Sequence, residues 1–365
     1  MYQTQNHIIH IHGARTIIIL HIGEEAMATI KDIAKECGVS IATVSNALNN
    51  KGRVSDEMIA KILESAKKLG YVPDITARNL KRKDTKVIGI IAEDITVFNT
   101  ADIVDGINEY LDENGYSFVL GNLRLFRKFN NNFYHNDEYR KLAIKEFDVM
   151  VGQRVSGIIY VAAHSRQLDI VPSDLQVPVV VAYSYDKDNN IPSVMYDDKT
   201  AAYEAVKKLI KKGHKKIGLI TGEETSLHTI ERKKGYEQAL FENKMLLDPS
   251  IIVSGNWHRD GGKKAAKTII ENGANAIFCM SDIMSVGVYD YAHENNISIG
   301  KDISLISFDN REISEYLSPA LSTMAIPLGE IGRTSAKIMI DSLENDTTCA
   351  KTIKLACHYI PRSSF

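Results

Sequence analysis

The chain is poor in the features that would tie it to a membrane, a disulfide scaffold or common catalytic chemistry. Its four cysteines, Cys37, Cys279, Cys349 and Cys357, are scattered and form no C-x-x-C pair, which argues against a zinc cluster and a disulfide framework. The Ile-rich run Ile17 to Leu20 is too short to span a bilayer, and no small-residue cleavage site follows a long apolar core as in a secretory signal. There is no G-x-S-x-G elbow, P-loop or H-E-x-x-H. The acidic pairs Asp197-Asp198 and Glu223-Glu224, with His214 and His258, therefore read as solvated charge. An enzyme is not expected, nor a cofactor or a metal. With 44% hydrophobic and 25% charged residues, the composition is that of a soluble globular protein with room for two or three domains. The expected location is the cytoplasm.

The net charge of -2 hides an asymmetry. Residues 27–83 carry 11 Lys and Arg against 6 Asp and Glu, whereas residues 84–365 carry 32 against 38. A basic segment on an acidic body suits a polyanion-binding head, because phosphate neutralisation supplies most non-specific affinity for DNA. Residues 1–26 stand apart as an upstream extension. Their histidines His7, His10, His12 and His21 alternate with isoleucine and have no second shell, so they do not read as a metal site. Gly23-Glu24-Glu25 would be encoded by purine-rich codons resembling a ribosome-binding site, which makes Met27 the expected start.

Within the basic segment, TIKDIAKECGVSIATVSNAL (Thr29 to Leu48) has apolar residues at helical spacing on both sides of Gly38. Ser40 is placed to cap the second helix, and the turn at Cys37-Gly38-Val39 has about the length of a helix-turn-helix. That arrangement leaves Ile41, Ala42, Ser45 and Asn46 facing outward, where a recognition helix meets the major groove. An ordinary helical hairpin in a larger core fits the local pattern equally well. A third helix is predicted over Ser55 to Leu69, ended by Gly70. The three helices form an expected headpiece over 27–72. Residues 73–85 then read as a linker whose short helix orders only against a partner. In it Leu80 sits among Arg78, Lys81 and Arg82, a wedge beside cations suited to minor-groove insertion.

From Lys86 onward apolar strands alternate with amphipathic helices. Strands are predicted at 87–91, 117–120, 157–161, 177–182, 216–220, 276–280 and 304–308, with helices at 103–114, 199–212, 232–243 and 284–295. Strands buried on both faces and separated by helices mean parallel sheets with right-handed crossovers. The run is too long for one open sheet of ordinary size. Two doubly wound lobes with a shared cleft are expected over 86–365, the first about 86–190 and 326–356, the second about 191–325 and 357–365.

Taken together, MATIKDIAKECGVSIATVSNALNNKGRVS, LGYVPDITARNL, RKKGYEQAL, SDIMSVGVYDYAHENNISIGKDISLISFDN and LSTMAIPLGEIGRTSAKIMI resemble the LacI/GalR family of bacterial transcriptional repressors over essentially all of Met27 to Phe365. The resemblance implies an all-α headpiece on an α/β two-lobed domain of the periplasmic-binding-protein kind. It also implies a homodimer on a pseudopalindromic operator, with hinge helices folding in the central minor groove; a tetramer stays open.

By position, Ile41, Ala42 and Asn46 fall where the family reads bases, and Thr29, Ser40, Thr43, Ser45, Asn49 and Arg53 where the head grips DNA. Leu80 matches the intercalating hinge leucine, flanked by Arg78 and Lys81. For the effector, expected to be a sugar, Arg232 matches the cleft arginine, Asp309 a cleft carboxylate and Trp257 a stacking aromatic, while Asp94, Asn99, Tyr183, Ser281 and Asp282 complete the implied set. Arg232→Ala is expected to lose the effector response without unfolding the dimer. Arg232 and Asp309 pairing with each other, and Trp257 as core, remain open alternatives.

The chain departs from the family pattern at Tyr183, Ser281, Asn99 and Thr100. It also carries extra residues between Asn122 and Val155, where RLFRKFNNNFYH (Arg124 to His135) reads as a cleft lid, a protein-binding tract or a surface loop. A purine- or nucleoside-responsive regulator is the alternative within the family. A solute receptor of a sugar transporter is the alternative outside it, and it would have no use for residues 27–83.

Overall fold

A computed structural model describes residues 28–48, 52, 54–71, 85–130, 137–188, 190–345 and 351–365. The chain divides into two compact units, Met1–Lys83 and Asp84–Phe365.

The first unit is built on α1 (Ile30–Cys37), α2 (Ile41–Leu48) and α3 (Asp56–Lys68). Thr29 opens α1 by donating its N–H and its hydroxyl to Asp32 Oδ2 at 2.8 and 2.6 Å. Gly38 ends it at φ 71°, in the left-handed region where a Cβ is disfavoured. Ser40 caps α2 as expected, its Oγ accepting the Thr43 N–H at 3.0 Å. The apolar stripes converge on Ile33, Val44 and Ile62, all fully buried. Lys61 Nζ donates to the Cys37 carbonyl at 3.4 Å, which ties α3 to the turn.

The second unit holds two six-stranded sheets among the described residues. In the first lobe, β1 (Val87–Ala92), α4 (Phe98–Glu113), β2 (Ser117–Asn122), α5 (Leu125–Phe129), α6 (Asp137–Gly152) and β3 (Gly157–Val161) are followed by short β4 (Gln167–Leu168), β5 (Val179–Ala182), β6 (Tyr185–Asp186) and β7 (Ser193–Tyr196). The second lobe takes up α7 (Asp198–Lys211), β8 (Ile217–Thr221), α8 (Leu227–Glu242), β9 (Ile252–Ser254), α9 (Arg259–Glu271), β10 (Ala276–Cys279), α10 (Asp282–Glu294), β11 (Ser304–Asp309), α11 (Ile313–Tyr316) and β12 (Ser322–Ala325). The chain then returns through α12 (Leu328–Asn345) and β13 (Thr352–Leu355) to the first sheet, and ends with β14 (His358–Ile360) in the second.

The strand orders are β13-β7-β5-β3-β1-β2 and β14-β12-β11-β10-β8-β9, with β14 alone antiparallel to its neighbour. β3, β8 and β11 are buried along their whole length, as two-face coverage by helices requires. In the first lobe α4 and α12 approach closely because they meet at glycines. A Cβ on Gly106 would lie 2.1 Å from the Gly329 carbonyl oxygen, and one on Gly332 would lie 2.1 Å from that of Ile103.

Among the described residues the observed strands and helices overlap the predicted ones, but several elements had no counterpart in the sequence pattern. The lobe boundary also moves. β7 pairs with β5 and β13 in the first sheet, so the first crossing falls at residue 197 rather than near 190. Of the tract from Arg124, α5 is formed and Leu125 is buried, while residues 131–136 lie outside the described set, as do residues 1–27 and the linker residues 72–84.

Candidate functional site

On the headpiece, α2 buries Val44 and Ala47 and turns Ile41, Ala42 and Asn46 outward. Ile41 is half exposed at 50%, an apolar residue at the start of a helix whose opposite face is core. Thr29 and Ser40 are exposed, and Thr43 and Ser45 are half-buried. The Ser40 and Thr43 hydroxyls lie 2.8 Å apart, so that pair serves the cap as well as the surface. Asn49, Arg53, Arg78, Leu80 and Lys81 lie outside the described residues.

Between the two lobes of the second unit lies a cavity of about 570 Å³. Its walls are the segments that follow the carboxyl ends of strands, where open α/β sheets bind ligands. Thr96 and Phe98 follow β1, Ser165 and Arg166 follow β3, and Tyr183 follows β5. Ser281 follows β10, Asp309 ends β11 and Arg311 follows it. The geometry brings Tyr183, Arg232, Trp257, Ser281 and Asp309 of the expected set to this cavity.

Three of these residues, Tyr183, Trp257 and Asp309, have positive φ, at 67, 63 and 109°. Such values are rare for side chains of this size and cost of order 1–3 kcal/mol each. Trp257 finds room because Gly222 has no side chain: a Cβ there would sit 1.9 Å from the indole.

Asp94, Asn99 and Asp282 are absent from the cavity lining, which corrects the expected set. Asp94 is buried and clamps two wall segments instead. It accepts the Thr96 N–H and hydroxyl at 3.0 and 2.6 Å and the Phe126 N–H at 3.1 Å. Asn99 is fully buried and donates to the Ala162 carbonyl at 3.3 Å. Asp282 lies beneath the wall, accepting the Arg311 N–H at 2.7 Å and the Thr323 hydroxyl at 2.9 Å. Burial and the neighbouring Asp309 carboxyl push its pKa upward, and burial also raises Asp309.

Arg232 is 2% exposed and largely committed to protein partners. Its Nε donates to Asp198 Oδ1 at 2.7 Å, Nη2 to the Tyr196 hydroxyl at 2.8 Å, and Nη1 to the Met280 carbonyl. Its guanidinium stacks on Phe308 at 3.6 Å. Asp309 is 3.7 Å from Nη1, an ion pair beyond hydrogen-bond reach. Asp198 also lies 2.9 Å from His228 Nδ1. Burial opposes charge on Asp198, but His228 and Arg232 overcome that and hold its carboxyl below the ordinary range. Because of this network, Arg232→Ala is expected to cost stability as well as the effector response.

Sequence reasoning missed the buried cluster that supports the first-lobe wall. Glu93, fully buried, accepts the Tyr160 hydroxyl at 2.7 Å, the Ala163 N–H at 2.8 Å and Arg166 Nη1 at 3.0 Å. His164 packs edge-on against Phe126 at 5.3 Å, and burial lowers its pKa to about 4. Phe126 comes from the tract that carries extra residues, so that tract contributes a cavity wall.

With this geometry in hand, comparison with known proteins gives two matches to families. Residues 29–74 match the bacterial regulatory proteins of the lacI family, and residues 206–365 match the periplasmic binding protein-like domain. Catabolite control protein A of Priestia megaterium is 31% identical over 335 residues, which cover 90% of this chain and 96% of that one.

The chain belongs to the LacI family.

It is therefore a bacterial regulatory protein with a DNA-binding helix-turn-helix head and a two-lobed effector domain. The LacI-family repressor CytR of Escherichia coli K12 is 29% identical over 350 residues, covering 93% of this chain and 97% of the relative. Among solved structures, the lac repressor dimer bound to operator and the anti-inducer ONPF superposes with a TM-score of 0.77 at 22% identity, over 92% of this chain and 98% of that one. The CelR–cellobiose complex gives 0.63 at 23% identity, over 93% and 100%. Both likenesses concern the fold. No helix among the described residues is long and apolar enough to cross a membrane.

Proposed function

We propose that this LacI-family protein is a dimeric repressor of carbohydrate-utilisation genes, whose affinity for a pseudopalindromic operator is set by a sugar bound between the lobes. The observation that carries this reading is that the Trp257 ring and the Asp309 carboxyl, both from the second lobe, line the same cavity. An aromatic face packs against sugar C–H groups, and a carboxylate accepts from hydroxyls. Tyr183, Ser281 and Arg311 add polar groups around them.

A nucleoside is the second reading. Phe98, Phe126 and Tyr183 give the first-lobe wall several aromatic faces, and a flat base stacks on such faces. Regulators named CytR and PurR are among the relatives.

The protein works as a binding switch on DNA in the cytoplasm, at the nucleoid, and not as an enzyme. Ligand shifts DNA affinity only through its differential affinity for two lobe arrangements. In this reading Ile41, Ala42 and Asn46 read bases, while Thr29, Ser40, Thr43, Ser45, Asn49 and Arg53 grip the backbone. Arg78, Leu80 and Lys81 act in the central minor groove.

A thermal-shift screen of mono- and disaccharides, purines and nucleosides tests the proposal. Stabilisation by sugars supports it, stabilisation by nucleosides alone supports the second reading, and no shift with any of them refutes both.

A further inference from the structure

Arg311 crosses from one lobe to the other. It follows β11 in the second lobe, yet its guanidinium carbon lies 3.9 Å from the centroid of the Phe98 ring, which opens α4 in the first. The backbone is bent to bring it there: Asp309 and Asn310 have φ of 109 and 60°. The bend is pinned from beneath, because Asp282 takes the Arg311 N–H while Arg362 Nη2 donates to Asn310 Oδ1 at 2.9 Å. Neither Asp282 nor Arg362 lines the cavity, so this scaffolding serves to place Arg311.

The Arg311 Nε is buried and has no protein acceptor within hydrogen-bond distance. Asp309 Oδ2 stands 3.6 Å away, an ion pair rather than a bond. On the first-lobe wall Ser165 Oγ is likewise buried without a hydrogen-bond partner. Both residues line the cavity. Leaving such a group unsatisfied costs about 1–3 kcal/mol; neither atom presents open surface to the cavity, so a ligand oxygen reaches each, and recovers that cost, only as the walls of both lobes adjust around it.

We propose that Arg311 is an effector-contact residue acting across the lobes: its Nε–H donates to a hydroxyl or ring oxygen of the bound molecule while its face stays on Phe98 and fastens the lobes over the cavity. The proposal rests on the reading of this cavity as the effector site. Ser165 answers it from the other wall, which favours a ligand with oxygens at both ends over a purely apolar one.

The test uses the full-length protein with Arg311→Met, Phe98→Leu and the double variant, and has two arms. In the first, cellobiose, D-ribose and cytidine are titrated calorimetrically. Any of them that binds wild type is expected to bind Arg311→Met at least tenfold more weakly, with the ligand-free Tm within about 2 °C. Binding within twofold of wild type overturns the contact. In the second, acrylamide quenching of Trp257, the single tryptophan and itself a cavity residue, is measured without ligand. Quenching is expected to rise in each single variant and no further in the double. Unchanged or additive quenching overturns the fastening of the lobes. If none of the three molecules binds wild type, the effector reading fails for these sugars and nucleosides and the Arg311 contact to them is overturned with it, while the quenching arm separately decides whether Arg311 and Phe98 join the lobes.

Discussion

Arg232 and Asp198 form a buried ion pair, Nε to Oδ1 at 2.7 Å, in which neither side chain is more than 4% exposed. The arginine that faces the cavity therefore holds the wall together. Removing one partner of such a pair strands the other charge in a poorly solvated place, which costs about 3–5 kcal/mol. Arg232→Ala is expected to lower unfolding stability by that order in urea titrations; a variant as stable as wild type contradicts the network.

Acidification acts on His164 in a definite direction. Its folded value of about 4 lies below the ordinary 6.5, so the unfolded chain binds the proton first. The stability this group contributes is complete above about pH 6.5 and is lost as pH falls toward 4. Asp282 and Asp309, with raised values, act in the opposite sense. Comparing His164→Gln with wild type isolates the histidine: the Tm gap is expected to move in favour of the variant between pH 7 and pH 4. A constant gap refutes the assignment.

Gly222→Ala is expected to disturb the cavity through one ring. The added Cβ meets the Trp257 indole at 1.9 Å, so the indole must turn. Trp257 emission shifts, and affinity for whichever molecule the thermal-shift screen selects falls at least several-fold. Unaltered emission contradicts the contact.

On DNA, Asn46 is the polar side chain on the exposed face of α2 suited to bidentate pairing with adenine. After binding-site selection from random duplexes, Asn46→Ala is expected to relax preference at one base pair per half-site, by about 1–3 kcal/mol. The slope of log affinity against log salt stays the same, because phosphate contacts set it. A changed slope with unchanged preference reverses the assignment.

Leu80→Ala is expected to reduce operator bending and specific affinity while sparing non-specific binding. Gel-shift bending assays on permuted fragments read both, and equal losses in specific and non-specific binding argue against a wedge.

Much of this architecture was legible because it is periodic. The body strands are continuous apolar runs, and α2 shows its core face in Val44 and Ala47. What escaped was short or long-range. β9 and β14 have three residues each, too few to establish a period. Asp198 and Arg232 are 34 residues apart, and Glu93 and Arg166 are 73 apart, so no local pattern joins them. Asp94 has the position and chemistry of a ligand contact, yet backbone amides of Thr96 and Phe126 claim its carboxylate. Carboxylates that serve a fold and those that serve a ligand look alike until their donors are known.

The return of the chain to the first sheet sets an order of events at the ribosome. β7 has its outer neighbour only in β13, and α4 packs on α12. The first lobe therefore stays unfinished during synthesis while the second lobe's strands β8 to β12 are made. Until then the edge of β7 and the apolar face of α4 are exposed, the kind of surface that invites misassembly. A nascent chain arrested before α12 should be held by chaperones, and one arrested after β14 should be released. The regulator becomes competent to sense its ligand late in its own translation, so its concentration of working cavities lags behind its concentration of headpieces.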